Sequence, residues 1–251
     1  MLKVRIMPTL LYRDVELVKG VGFDSWRRVG GVMQAVKVYN LREVDELVFL
    51  DITATRDGRA PDTELVDEIA DECFMPLTVG GGIKSVDDVR RLLQVGADKV
   101  ALGTAAVEAS SLIFDIAARF GSQCVVVAID ARRHADRCEV FVRSGTVATG
   151  IDPVDLARRV EALGAGEILL TSIERDGSMT GYDVELTRQV SEAVSIPVIA
   201  SGGAGSYADM VAVLREGKAA AVAAASIFHF TEMTPLEAKR HLAAEGFPVR
   251  T

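Results

Sequence analysis

The segment PLTVGGG at Pro76–Gly82 is repeated as PVIASGG at Pro197–Gly203, a shift of 197 − 76 = 121 residues. The shift extends beyond these loops, because it also places Glu46 on Glu167 and superposes the following segments ADKVALGTA and KAAAVAAAS. Each copy is an apolar run that ends in small residues, mostly glycine. The chain is therefore predicted to consist of two similar halves.

Eight short apolar runs alternate along the chain with longer stretches of helical period. Such alternation is typical of repeated βα units that build a parallel sheet. The runs, which are the predicted strands, are Val4–Leu11, Leu47–Ile52, Leu77–Val79, Lys99–Leu102, Cys124–Asp130, Ile168–Ser172, Val198–Ser201 and Ala220–Ala224. Helices are predicted between them, among others at Asp62–Cys73, Val86–Val95, Asp152–Leu163 and Asp183–Ala193. Eight parallel strands close into a barrel, so the sequence predicts a single (β/α)8 TIM barrel domain over residues 1–251, with a twofold half-barrel repeat.

The composition excludes several classes of protein. With 251 residues and 49% hydrophobic content, the chain can bury one large core. Its 28 basic and 36 acidic residues give a net charge of −8, and no basic patch suited to a nucleic acid is evident. Cys73, Cys124 and Cys138 lack metal-binding spacing, and the amino terminus resembles neither a signal peptide nor a membrane helix. We expect a cytoplasmic protein without metal or cofactor that binds neither nucleic acid nor membrane.

Small residues follow four of the predicted strands. Gly80–Gly82 and Ser201–Gly203 lead into helices, and Gly103–Thr104 and Ala225–Ser226 follow the next strand in each half. Active sites of such barrels lie at the carboxyl ends of the strands, and bare N–H groups at a helix start bind anions. Two symmetric cradles indicate a ligand with two phosphates. The alternative is that the glycines only permit tight turns.

Acidic residues occupy the same end of the predicted barrel. Asp51 and Asp130 end two strands, and Asp176 follows a third. A carboxylate at the end of an apolar strand is costly to bury unless it is hydrogen-bonded or functional, and Asp130 is the strongest candidate for a general acid or base. Capping of the following turn is the alternative for all three. Lys19 either contacts a phosphate or lies in solvent.

Charged residues begin four strands at the opposite end. Their side chains are predicted to converge as two cations and two anions. Buried salt bridges seldom add stability compared with apolar packing, so such a ring suggests a functional reason, for example a gate. The residues are Arg5, Glu46, Lys99 and Glu167.

A family resemblance covers nearly the whole chain. The motifs MLKVRI, DELVFLDITA, TVGGGI, GADKV, FGSQCVVVAIDA, GAGEILLTSI, RDG with TGYD, and IASGGAG resemble the cyclase subunit of imidazole glycerol phosphate synthase. The resemblance implies a glutaminase subunit docked on the bottom face, whose ammonia passes through the barrel to a bisphosphorylated ribotide on the top face. It implies a charged gate at Arg5, Glu46, Lys99 and Glu167, a partner-facing region at Asp98 and Gln123, and phosphate contacts at Gly82, Thr104, Gly177, Gly203, Ala225 and Ser226.

The sequence departs from the pattern of that family at the site. Leu11 stands where the family has an aspartate at the end of the first strand, Gly103 replaces a common asparagine, and one residue is inserted before Ala225. The family chemistry resembles acid/base catalysis by two carboxylates, and losing one such group typically costs roughly 10²- to 10⁴-fold in rate. Cyclase activity is therefore expected to be weak.

Three segments are more similar to a paralogous branch associated with bacterial surface-polysaccharide synthesis: MPTLLYRDVELVKG, VMQAVKVYNLREVDELVFLDITAT and ECFMPLT. That branch is thought to deliver ammonia to a separate enzyme that builds an acetamidino group on a nucleotide-linked sugar. Three hypotheses follow: an ammonia-relaying barrel, a genuine cyclase that uses another acid, and a non-catalytic binding barrel. A phosphosugar isomerase is a weaker alternative, since it would be expected to need the missing aspartate and has no use for the gate.

Overall fold

A closed barrel of eight parallel strands forms the centre of the protein in the computed structural model, which describes residues 3–134 and 137–250. The strands are β1 (Arg5–Arg13), β2 (Glu16–Val21), β3 (Asp24–Gly30), β4 (Leu47–Asp51), β5 (Leu77–Gly80), β6 (Lys99–Leu102), β7 (Val125–His134), β8 (Arg137–Val142), β9 (Val147–Ala148), β10 (Glu167–Ser172), β11 (Val198–Ser201) and β12 (Ala221–Ala224). The barrel runs in the order β1, β4, β5, β6, β7, β10, β11 and β12, which pairs again with β1. The predicted barrel is confirmed.

Four strands lie outside the barrel and were not predicted. β1 and β7 continue beyond the barrel, and each turns back into an antiparallel extension, β2–β3 on β1 and β8–β9 on β7. The backbone groups of β2, β3, β8 and β9 are paired through β1 and β7 and with each other. These four strands therefore form without a long apolar run in their own sequence. β3 is accordingly exposed or half-buried throughout. Both extensions stand at the carboxyl end of the barrel.

Helices surround the barrel between the strands. They are α1 (Val32–Leu41), α2 (Thr63–Glu72), α3 (Val86–Gln94), α4 (Thr104–Glu108), α5 (Ser111–Phe120), α6 (Pro153–Ala162), α7 (Val184–Ala193), α8 (Tyr207–Arg215), α9 (Ser226–Phe230) and α10 (Pro235–Ala244). The predictions placed three starts one residue early, because Asp62, Asp152 and Asp183 are N-caps whose carboxylates accept the first free N–H groups. Within the described part of the chain, no helix is long and apolar enough to span a membrane.

The side chains inside the barrel form a cluster separate from the larger core under the helices. Successive side chains of a strand alternate between the two, so that Ile6 and Leu10 face the helices while Met7 faces the interior. The interior cluster contains several small residues and consists of Met7, Val48, Ala101, Val126, Leu169, Ile199, Ala221 and Ala223.

The two halves of the barrel repeat both their pairing and their helix starts. Ser85 with Asp88 and Ser206 with Asp209 form capping boxes that begin α3 and α8. Each box lies at the same distance from its glycine turn as its counterpart does. The repeat predicted from the sequence is therefore present in the structure.

Candidate functional site

A large pocket opens at the carboxyl ends of the barrel strands, with about 1290 Å³ of empty space including its open mouth. Pockets in this position of a barrel bind small-molecule ligands. All twelve residues predicted for catalysis or for substrate and phosphate contacts line it: Lys19, Asp51, Gly82, Gly103, Thr104, Asp130, Asp176, Gly177, Ser201, Gly203, Ala225 and Ser226. Their binding roles remain predictions.

Asp130 lies on β7 and is the register partner of Thr171 on β10. Burial raises the pKa of Asp130 to about 7, and the negative charge of Asp176 adds to this effect. At neutral pH both protonation states of the carboxyl are populated, which is what a general acid or base requires. Thr171 was not singled out from the sequence, because its partner lies 41 positions earlier on another strand.

Lys19 is almost fully buried, with 2% of its surface exposed, and its Nζ lies 2.5 Å from Oδ2 of Asp176. The alternative that Lys19 lies in solvent was wrong, because the antiparallel pairing of β2 turns its side chain inward toward an acidic partner far away in sequence. Burial raises the pKa of Asp176, although the nearby Lys19 cation opposes the rise. The pair places a matched cation and anion beside the pocket.

Asp51 caps the turn that follows β4. Its Oδ1 accepts hydrogen bonds from the N–H groups of Thr53 and Ala54, both at 2.9 Å, and its Oδ2 lies 3.0 Å from Nη1 of Arg59. The capping alternative is therefore correct for Asp51. Its carboxylate shapes the pocket wall, and direct contact with a ligand stays a prediction.

The glycine turns have backbone conformations that other residues rarely adopt. Gly82 has φ +74° and Gly203 has φ +112°, and an added Cβ would lie 2.7 Å from the Arg59 oxygen or 2.2 Å from the Gly181 oxygen. The tight-turn role is thus real at both positions. The N–H of Gly82 already donates to Oγ1 of Thr55 at 3.2 Å. The two predicted phosphate cradles therefore differ in their available donors.

The extensions of β1 and β7 supply pocket residues that the sequence analysis missed. Phe23 and Trp26 come from the first extension, and Phe141, Arg143 and Ser144 come from the second. The N–H of Arg143 donates to Oγ1 of Thr104 at 2.9 Å, and Oγ of Ser144 donates to the Ile52 oxygen at 2.6 Å. No local signal marked these residues, because their position depends on hairpins that pair only in the folded barrel.

A ring of four charged side chains lies at the amino end of the barrel. Arg5 contacts Glu46 at 2.7 Å and Glu167 at 3.0 Å, while Lys99 contacts the same two carboxylates at 2.9 and 3.2 Å. Each cation therefore bridges both anions. Oγ1 of Thr78 also donates to Glu46 at 2.7 Å, a contact not predicted from the sequence.

Asp98 and Gln123 precede β6 and β7 at the amino end of the barrel, and both are exposed. Asp98 Oδ2 accepts from the N–H of Leu77 at 2.8 Å, and Gln123 Nε2 donates to the Phe120 oxygen at 2.9 Å. These bonds fix both side chains at the amino end of the barrel, where a partner is predicted to dock. Among residues 3–134 and 137–250, no group of three or more His, Cys, Asp or Glu side chains is placed to hold a metal ion.

These features define a class of protein. A (β/α)8 barrel with a deep pocket at the carboxyl ends of its strands, lined by glycine turns and a buried carboxyl group, has the architecture of a barrel enzyme. The sequence model of the histidine biosynthesis protein family matches residues 5–234, so the chain belongs to this family. Members of that family are enzymes of the histidine-biosynthesis barrel type, so the resemblance found in the sequence is confirmed at the level of the family.

Proposed function

We propose that this protein is the synthase-type subunit of a glutamine-dependent amidotransferase, which receives ammonia from a glutaminase subunit and delivers it through the barrel to the pocket. The observation that carries the proposal is the four-charge ring at the amino end of the barrel. Glu46 in the ring is only 2% exposed, yet it contacts two cations and one hydroxyl. Arranging these charges at the amino end of the barrel is costly unless the ring has a role that apolar packing cannot fill.

The ring has the properties of a gate. Arg5 and Lys99 each bridge both carboxylates, so no single ion pair holds the ring closed. Displacing Lys99 leaves Arg5 paired with both Glu46 and Glu167, so each carboxylate keeps one cationic partner while the opening widens. Docking of a partner around Asp98, the residue next to Lys99, would act on this cation directly.

The barrel interior between the ring and the pocket favours passage of a neutral molecule. Between the ring and the pocket, the inner side chains are apolar and several are alanines. Ammonia carries no charge and enters such a space at much lower cost than the ammonium ion. Ala101, Leu169 and Ala223 belong both to this interior cluster and to the pocket lining, so the apolar interior leads directly to the pocket.

Leu11 favours relay of ammonia over cyclisation. It lies on the inner face of β1 at the pocket, where the cyclase reaction is expected to need a second carboxylate beside Asp130. We therefore propose that the protein belongs to the paralogous branch and supplies ammonia for synthesis of an acetamidino group on a nucleotide-linked sugar of a surface polysaccharide such as lipopolysaccharide. The pocket would bind a bisphosphorylated ligand through its two glycine turns.

A genuine cyclase of histidine biosynthesis is the second candidate. It is favoured by Asp130, whose pKa near 7 suits proton transfer, and by the buried Lys19–Asp176 pair beside it. In that case the reaction would proceed with one carboxylate in place of two.

The deciding experiment is an assay of the purified protein with ammonium salt and the ribotide of the histidine pathway. This assay tests cyclase chemistry without any partner. We expect little turnover, together with formation of a stable complex with a glutaminase-type subunit from the same genome. Turnover comparable with that of an ordinary cyclase would identify the second candidate, and failure to bind any glutaminase would reject the amidotransferase proposal.

A further inference from the structure

Thr9 presents a buried hydroxyl without a partner at the floor of the pocket. Its side chain is 7% exposed, and its Oγ1 has no hydrogen-bond partner among the residues that the structure describes. Buried polar atoms in folded proteins are nearly always hydrogen-bonded, so each exception requires an explanation. Because Thr9 also lines the pocket, a ligand at this position would satisfy the hydroxyl.

The inner face of β1 runs from the charged ring to the pocket. Every second residue points inward, in the order Arg5, Met7, Thr9 and Leu11. Four residues of strand separate Thr9 from Arg5, which corresponds to about 13 Å. Thr9 is thus the first hydroxyl on this strand that a molecule meets after passing the ring and the apolar interior.

The surroundings of Thr9 leave room for a small molecule. Ala101, Ala128 and Ala223 line the same pocket with their short side chains. In the second half of the barrel, the position that corresponds to Thr9 is Ala128, since Val48 pairs with Thr9 in the way that Leu169 pairs with Ala128. The hydroxyl is therefore a feature of one half only.

We propose that Thr9 Oγ1 accepts a hydrogen bond from neutral ammonia and holds it where the apolar interior opens into the pocket. This inference rests on the proposed function and specifies a residue for it. Ammonia has three N–H donors, and a threonine hydroxyl accepts one of them without carrying charge. A carboxylate at this place would instead favour the ammonium ion, whose nitrogen has no free lone pair and cannot act as a nucleophile. Thr9 and the apolar Leu11 together keep the nitrogen unprotonated.

The test uses the full chain with its threonine methyl groups labelled for NMR. Ammonium chloride is titrated at pH 8.5 with sodium chloride as the salt control, and the Thr9 signal is identified by its loss in Thr9→Val. We expect a saturable shift of Thr9 and none of Thr187, whose buried hydroxyl already donates to the Asp183 oxygen. At pH 7.5 the midpoint in total ammonium should rise about tenfold, because the neutral fraction of an amine falls about tenfold per pH unit below its pKa.

Each of the following outcomes overturns the inference: no shift of Thr9, an equal shift in sodium chloride, or a midpoint that does not change with pH, which would indicate the ammonium ion. A shift that occurs only with ribose 5-phosphate would assign the hydroxyl to the phosphorylated ligand and would also overturn it.

Reconstitution with the glutaminase separates this inference from the proposed function. Thr9→Val should lower the acceptor aminated per glutamine hydrolysed about threefold to tenfold, the worth of one hydrogen bond, whereas Thr9→Ser should keep the wild-type ratio. If Thr9→Val retains the ratio while Lys99→Ala loses it, the inference fails and the function stands. If neither variant changes the ratio, the gate itself is rejected.

Discussion

Leu11 and Leu50 are paired across β1 and β4 at the register position where the second half of the barrel pairs Asp130 with Thr171. One half thus presents an acid next to a residue with a hydroxyl, and the other presents two apolar side chains. Because leucine neither takes nor gives a proton, the natural protein should show a cyclase deficit of at least roughly a hundredfold against an ordinary cyclase.

The apolar pair can be converted into a copy of its counterpart. Leu11→Asp should restore part of the ammonia-dependent cyclase activity, and Leu11→Asp with Leu50→Thr should restore more, because it would reproduce the Asp130–Thr171 register pair of the second half. Recovery should stay partial, since small misplacements of the substrate are costly. Turnover of the histidine-pathway ribotide is the measurement, with Leu11→Asn as the control of similar shape. Equal recovery by the asparagine variant would contradict an acid/base role.

Removal of one ring cation should uncouple the two reactions of the complex. Lys99→Ala leaves Arg5 as the ring's cation for Glu46 and Glu167, so the opening should leak. Glutamine would still be hydrolysed while ammonia delivery to the acceptor falls, which parallel assays of glutamate and aminated product would detect. Arg188→Ala, which removes a cation from an exposed pair with Glu185, is the matched control. Unchanged coupling in Lys99→Ala would reject the gate.

Two anions should bind at the carboxyl end of the barrel. A crystal soaked in phosphate or sulfate should show density near Gly82 and Thr104 and near Gly203 and Ser226. Thr104→Val and Ser226→Ala should each empty their own cradle and leave the other filled, so each variant controls for the other. Calorimetry should show phosphate affinity about tenfold weaker at the altered cradle, the worth of one hydrogen bond to a charged group. Density at neither turn would refute the bisphosphate ligand.

The raised pKa of Asp130 makes stability depend on pH. The carboxyl titrates near pH 4 in the unfolded chain and near pH 7 in the folded protein, so the folded state binds the additional proton between these values. The free energy of unfolding should therefore fall as pH rises through this window, by at most about 4 kcal/mol. Asp130→Asn abolishes this contribution, so the variant should gain stability relative to the natural protein between pH 5 and pH 8.

Urea unfolding at about pH 5 and about pH 8 measures the free energy of unfolding of the natural protein and of Asp130→Asn. Asp115→Asn, at an exposed position on α5, is the control and should track the natural protein at both. Parallel pH profiles for the natural protein and Asp130→Asn would show that the Asp130 carboxyl titrates normally.

The barrel was predictable because each of its strands is marked by a short stretch of the sequence alone. Apolar runs such as Val198–Ser201 mark strands by themselves, and the repeat of the glycine turns revealed the two halves. The hairpins were not predictable, because β3 gains its partners only when β1 extends beyond the barrel. The candidate site divides in the same way. Asp130 was marked by its place at the end of an apolar strand, whereas the burial of Lys19 depends on Asp176, 157 positions away.

The repeated capping boxes show which features the two halves of the barrel share. Ser85 with Asp88 and Ser206 with Asp209 begin their helices in the same way, although β1 and β7 of the same two halves present different chemistry to the pocket. Because the barrel is built from two similar halves, each position at the pocket has an equivalent position in the other half. At the pocket, the second half presents the carboxyl of Asp130, whose pKa is raised, and the first half presents the apolar side chain of Leu11. A barrel of two similar halves can therefore keep the same helix starts in both halves while each half presents a different side chain to the pocket.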